Sequence, residues 1–340
     1  MKILTIESVA ELVSKHGIDN YLQDLMQKIK GDFSRWHEFE KIPRPSMQVD
    51  GGVVELMPIC DDKYYTFKYV NCHPKNPSKG LMTVVATGEI AEVSTGYPVF
   101  FSEMTLLTAL RTSATTALAT DLMSRRDSKV LAIIGTGAQS EFLVRAISLV
   151  RNIEEVRYFD IDPQAMDKFE QNQKDRKFKL VRCKDSEEAV DGADIITTCT
   201  ADRAQAKILK NDWIKEGVHI NAIGGDTIGK TELEFEILDR SKIVVEYFDQ
   251  AFIEGEIQYY TEEEARKNLY AELYELTTGA KVGRVDDKDI TLYDSVGIGL
   301  EDYSVLTFTR ELAEKHNIGL ECNLIPGMDN PKNLISLLNK

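Results

Sequence analysis

Apolar residues follow two different patterns along this chain, and the change falls near residue 120. Upstream, residues 53–57 (VVELM), 64–70 (YYTFKYV) and 83–90 (TVVATGEI) read as short strands separated by turn-rich segments such as HPKNPSKG. The first residues, MKILTIESVAELVSKHG, read as a strand followed by a helix. Downstream, strands alternate with helices. The strand Val130–Ile134 leads into a helix expected over 138–150, and 156–160 leads into a helix opening at Pro163. Residues 179–181, 195–199, 219–223 and 243–246 continue the strand series. These are continuous apolar runs, as required when helices cover both faces of a parallel sheet. Beyond Ser304, the segment VLTFTRELAEKH and a tail ending in NLISLLNK predict helices that pack back on the first part of the chain.

Composition narrows the field. With 340 residues, 43% of them hydrophobic, the chain can bury a sizeable core and form two domains. A formal net charge of −15 argues against nucleic acid or an acidic membrane as a general partner, but is silent on small substrates. The five cysteines are dispersed without a CxxC pair, as expected of reduced thiols in the cytoplasm. The five histidines form no HExxH, so no protein-bound metal is expected. No apolar run approaches the roughly 20 residues of a membrane span, and the N-terminus carries no signal-peptide core.

The run VLAIIGTGAQSEFLVRAI sets Gly135-x-Gly137-x-x-Ser140 between a buried strand and a helix. The first glycine permits a tight turn, the second lets backbone N–H groups approach a pyrophosphate, and the helix N-terminus adds partial positive charge. Serine replaces glycine at the third position but remains small. The next strand ends at Asp160, an acidic group placed to bond the adenosine ribose and repel a 2′-phosphate, which favours NAD over NADP. The alternative is a solvated turn aspartate. The predicted fold class is α/β: a Rossmann-type doubly wound nucleotide domain over residues 119–312, plus an α+β domain over 1–118 joined by 313–340.

Several charges stand where charge is costly. Arg111 is the lone ionic residue in LLTALRTSATTALAT and requires a partner, either a structural carboxylate or one on a substrate. Lys68 lies inside YYTFKYV, with Phe67 and Tyr69 on the opposite face; snorkelling to water is the commoner fate of such a lysine. Arg44, in KIPRPS, reads on its own as a surface residue, and Glu55 as a half-buried strand carboxylate. Three cations facing a nucleotide site would suit an anionic small substrate. The strand HINAI ends in Gly224-Gly225-Asp226. The glycines allow the backbone to lie close to a flat ring, and the carboxylate points into the crevice beyond the strand ends. The competing reading is an aspartate that caps the next helix.

At these residues the chain resembles the ornithine cyclodeaminase/mu-crystallin family. The resemblance is carried by VVELMPI, FKYVNCHPKNPSKGL, SEMTLLTALRTSATTA, IIGTGAQSEF, GADIITTCTA, HINAIGGDTIGKTEL, EGEIQ and LYDSVG, nearly the whole chain. The stretches around Lys68 and Asp226 resemble the cyclodeaminases in particular. The resemblance implies that Arg44, Lys68 and Arg111 hold a substrate α-carboxylate, with Asp226 as acid/base at the side-chain amine. It also implies that Glu55 helps hold an amino group and that Val296 lines the pocket. NAD would be contacted by Thr83, Arg111, Ala138, Gln139, Asp160, Thr200, Lys230 and Ser295, besides Gly135, Gly137, Gly224 and Gly225. The implied assembly is a homodimer in which the N-terminal domain supplies substrate and dimer contacts. The implied activity converts L-ornithine to L-proline and ammonia with no net redox change, in proline formation or in arginine and ornithine breakdown. The alternatives are a lysine cyclodeaminase, an NAD(P)H-dependent ketimine reductase or amino-acid dehydrogenase, and a catalytically silent binding protein.

Overall fold

The computed structural model describes residues 1–201 and 207–338. The last two residues of the tail NLISLLNK lie outside the described residues, and the part before them is a short 3-10 turn, Leu334–Leu338.

Among the described residues, two eight-stranded sheets organise the chain. The first runs in the order Leu320–Glu321, Lys2–Leu4, Pro98–Glu103, Val84–Glu92, Tyr64–Cys72, Gly52–Cys60, Glu40–Lys41, with Ser46–Val49 also paired to Gly52–Cys60. Lys2–Leu4 pairs in parallel with Pro98–Glu103, and the other pairings are antiparallel. Alternation sorts its faces. Thr66, Lys68 and Val70 are buried on the face beneath the helix Gly299–His316, while Tyr65 and Tyr69 are exposed on the other. That helix begins well before residue 313, and its first turn carries the acidic pair Glu301 and Asp302, both buried.

The second sheet is wholly parallel, in the order Lys179–Arg182, Glu155–Phe159, Val130–Ile134, Ile195–Thr198, His219–Ala222, Ile290–Asp294, Ser241–Val245, Leu269–Glu272. Its central strands are apolar because helices lie on both faces. The helix Thr105–Met123 is buried along most of its length and packs against both the first-sheet helices and the helix Ser140–Val150. A helix hydrophobic all round belongs in an interior, and here it joins the two layers. The strand order reverses between Val130–Ile134 and Ile195–Thr198, which opens a crevice at the carboxyl ends of the strands.

Candidate active site

The crevice is furnished by residues that directly follow strands. Gly135 follows Ile134, Asp160 follows Phe159, Glu246 follows Val245 and Ser295 follows Asp294, while Thr200 and Gly224 come two residues after theirs. Gly135 has φ +96°, a conformation side chains rarely adopt, and a Cβ there would lie 2.8 Å from the carbonyl oxygen of Cys199. Gly137 faces open space. The helix begins at Ser140, two residues later than expected, because the Ser140 amide and hydroxyl both bond back to the Gly137 carbonyl, the hydroxyl at 2.9 Å. No side chain caps that eleven-residue helix, so its first amides remain available for an anion. The turn therefore fits a dinucleotide pyrophosphate.

Asp160 is not a free turn residue. Its Oδ2 accepts the Thr136 amide at 2.6 Å and the Thr136 hydroxyl at 3.2 Å, and its Oδ1 accepts the Asp162 amide at 2.9 Å. It thus ties the glycine turn to the second strand. A carboxylate has about four acceptor positions, so one remains for a ribose hydroxyl. Thr83 lies at the start of Val84–Glu92, where its carbonyl accepts the His73 amide at 2.8 Å.

The three cations converge. Lys68 is 1% exposed and donates to Asp302 Oδ1 at 2.9 Å, so the snorkelling reading fails: a buried carboxylate takes the place of water. Arg111 donates from Nη1 to Glu301 at 2.5 Å, and its Nε lies 3.4 Å from Asp302. It has structural carboxylate partners. The surface reading of Arg44 also fails, since its side chain is only 7% exposed. Its Nη1 donates to Glu55 at 3.1 Å, Nη2 donates to the carbonyls of Val296 and Gly297, and Nε lies 3.0 Å from Glu254. A methyl at Gly297 would meet the Arg111 guanidinium at 2.5 Å, which puts the two arginines on either side of this short stretch. Both Nε atoms are buried without a hydrogen bond of good geometry, despite a carboxylate in ion-pair range.

Electrostatics follow from burial. Burial, and then the charge of Arg111, push the Lys68 ammonium down to about 8, against the pull of Asp302. Burial opposes the charge on Arg44, but Glu254, Glu55 and Asp226 outweigh it and raise its guanidinium. Burial lifts Glu254 to about 7 even beside Arg44, and lifts Glu301 beside Arg111.

Asp226 caps no helix; the next one, Phe235–Asp239, starts nine residues on. Its side chain is 43% exposed, with Lys230 Nζ at 3.5 Å. Lys230 in turn donates to the Thr200 carbonyl at 2.7 Å. Ser295 and the amides of Val296 and Gly297 bond to Glu246, Ser295 at 2.6 Å. Glu246, Glu254, Glu301 and Asp302 are site carboxylates that sequence reasoning missed. The one signal was the acidic pair in GIGLEDYS, enclosed by apolar residues.

Fold and geometry define a dinucleotide-binding protein of the doubly wound, two-sheet class, with a cluster of three buried cations beside its acids. The profile of the ornithine cyclodeaminase/mu-crystallin family matches residues 6–317, and the chain belongs to that family. It is 46% identical over 335 residues to an ornithine cyclodeaminase of Agrobacterium tumefaciens (strain Ach5), a match covering 98% of this chain and 93% of that one. Among solved structures it superposes with TM-score 0.91 on a lysine cyclodeaminase studied for recognition of L-lysine, L-ornithine and L-2,4-diaminobutyric acid, at 29% identity and covering 98% and 99% of the two chains. It matches an archaeal alanine dehydrogenase dimer with bound NAD at TM-score 0.88 and 32% identity, covering 96% and 99%. Among the described residues, no helix is long and apolar enough to cross a membrane.

Proposed function

We propose that the chain converts L-ornithine to L-proline and ammonia, using NAD. The observation that carries this reading is the likeness, over nearly the full length of both chains, to an ornithine cyclodeaminase. Gly135, Gly137, Ala138 and Gln139 receive the pyrophosphate and Asp160 the adenosine ribose. Thr83, Arg111, Thr200, Gly224, Gly225, Lys230 and Ser295 contact the rest. When bound, NAD supplies reversible hydride transfer at the substrate Cα, so the overall reaction is redox-neutral.

The protein's own residues manage position and protons. Arg44, Lys68 and Arg111 grip the α-carboxylate, with Glu55 near the amino group and Val296 against the carbon chain. An alkyl ammonium titrates near 10.4 in water and is no nucleophile until deprotonated. Asp226, partly open and weakly paired, takes that proton from the side-chain ammonium. The freed amine attacks the α-imine carbon, closing a five-membered ring whose two ends are already tethered. Asp226 then returns the proton to the departing ammonia. Exclusion of water from the occupied site would protect the imine from hydrolysis.

The assembly is a homodimer. The exposed Leu56, Tyr65, Tyr69 and Val85 on the outer face of the first sheet, and the dimeric archaeal relative, support it.

The test is incubation of purified protein with ornithine and a trace of NAD. Proline and ammonia in equal amounts, without accumulating NADH, are expected; one NADH per amino acid consumed would overturn the reading in favour of a dehydrogenase. The superposition on a lysine cyclodeaminase favours some lysine turnover as well. One methylene is worth about 1–3 kcal/mol, so lysine should be slower by roughly 10- to 200-fold.

A further inference from the structure

Three buried acids outside the cation cluster repeat one arrangement. Asp294, which ends its strand, accepts the amides of Glu256 and Ile257 at 2.9 and 3.1 Å. Glu256 accepts the amides of Glu232 and Leu233 at 2.7 and 3.2 Å. Glu232 accepts the amide of Thr200 at 3.1 Å and its hydroxyl. Each acid therefore holds the backbone at the base of the next group in the series. All three are fully buried.

Each also presses on a glycine. A Cβ at Gly255 would lie 2.6 Å from Asp294, one at Gly225 would lie 2.5 Å from Glu256, and one at Gly224 would run into Glu232. The glycine pair before Asp226 therefore has a use beyond any flat ligand: it gives two carboxylates room to sit beneath the loop. The series ends at the chemistry. The Thr200 carbonyl accepts Lys230, and Lys230 faces Asp226 at 3.5 Å. The Asp226 amide bonds back to the Gly224 carbonyl at 3.1 Å, closing a tight turn at the acid.

We propose that Glu256, with Asp294 behind it and Glu232 ahead, is a positioning residue that sets the Asp226 carboxylate for proton transfer. This rests on Asp226 being the acid/base. Burying a carboxylate is costly unless its oxygens are bonded, and here the return is geometric. Six hydrogen bonds anchor the strand-end loops to one another. A carboxamide at position 256 keeps the shape but cannot accept two amides with both of its heavy atoms. One amide, that of Leu233 or Glu232, is left without an acceptor, and the loop carrying Asp226 is released.

Misplacement by about 1 Å can cost on the order of 100-fold in rate. Glu256→Gln is therefore expected to lower kcat on ornithine about 10- to 100-fold, with KM and the Kd for NADH within about threefold. Asp294→Asn, one step further away, should give the same pattern with a smaller loss, and it carries the test if Glu256→Gln does not fold. The decisive comparison is the background of Asp226→Asn. If Glu256 acts through Asp226, its substitution lowers the residual rate no further, whereas independent roles add. An equal loss in both backgrounds, or a fall in Tm with kcat unchanged, overturns the proposal. Asp226→Asn with wild-type turnover defeats the acid/base reading itself; Asp226→Asn inactive and Glu256→Gln fully active defeats this inference alone.

Discussion

Lys68 is 1% exposed and bonded to Asp302, whereas the Asp226 side chain is 43% exposed and meets Lys230 at 3.5 Å. Both belong to the proposed active site, yet they are held in opposite ways. Around Lys68, Arg44 and Arg111, every charge meets a counter-charge on the protein before any ligand arrives. Such a cluster is pre-organised: a bound carboxylate finds donors already aimed, and little reorganisation opposes it. Asp226 is held through its backbone and through a cation that is itself tethered to Thr200. A group that must gain and lose a proton in each cycle gains from a weak partner and from water access. In the proposed reaction, rigid charges hold the substrate and a lightly held one reacts.

The largest expected effect breaks the reactive side of this contrast. Asp226→Asn keeps the shape and removes the proposed base. It should lower kcat by about 10²- to 10⁴-fold, the usual worth of a positioned acid/base. NADH affinity, read by fluorescence titration, should be unchanged. Near-normal proline formation by the purified variant would show that the proton is handled elsewhere.

Next comes the rigid side. Arg111→Ala leaves Asp302 buried with Lys68 and takes from buried Glu301 the guanidinium that it accepts from. Removing one partner of a buried ion pair typically costs about 3–5 kcal/mol. Glu301 can soften this by taking a proton, since burial already raises its carboxyl. The variant should lose stability in urea and bind ornithine much more weakly, with both defects larger than in Arg111→Lys, which keeps the charge but not the fork. Unchanged KM, kcat and urea midpoint would remove Arg111 from both roles.

The same contrast explains how far the sequence could be read. The parallel strands around Val130–Ile134 and the turn at Gly135 were legible because buried strands are apolar runs and glycine turns have few substitutes. Ile290–Asp294 escaped. It lies between His219–Ala222 and Ser241–Val245 in the sheet, but its pattern mixes Thr291 and Asp294 with apolar residues. Those two polar side chains are spent inside, on His219 and on the amides after Gly255. Arg44 and Lys68 looked ordinary because most of their partners lie far along the chain, 234 residues away for Lys68 and Asp302 and 252 for Arg44 and Val296. An acid such as Glu254 or Asp302 is written in the sequence just as a solvated one is. Only packing reveals which charges are buried, and the full-length family resemblance stood in for packing where single residues were mute.

The smallest expected effect sharpens the comparison through pH. Burial and Arg111 depress Lys68 to about 8 from its usual 10.5. Below about 8 it is charged in both the folded and the unfolded chain. Between 8 and 10.5 the unfolded chain binds a proton that the folded one does not, so this lysine's contribution to stability rises with pH across that window. Its contribution to ligand capture does the reverse, because a neutral amine no longer attracts a carboxylate. L-Proline, whose own amine stays protonated here, is a suitable probe. Its Kd should climb as pH passes 8, while the urea midpoint of the wild type gains on that of Lys68→Met. In Lys68→Met the affinity should be low throughout and lack that step. Proline affinity that stays level to pH 10 in the wild type would mean that Asp302 holds the ammonium charged, and that the rigid cluster keeps its proton as firmly as its geometry.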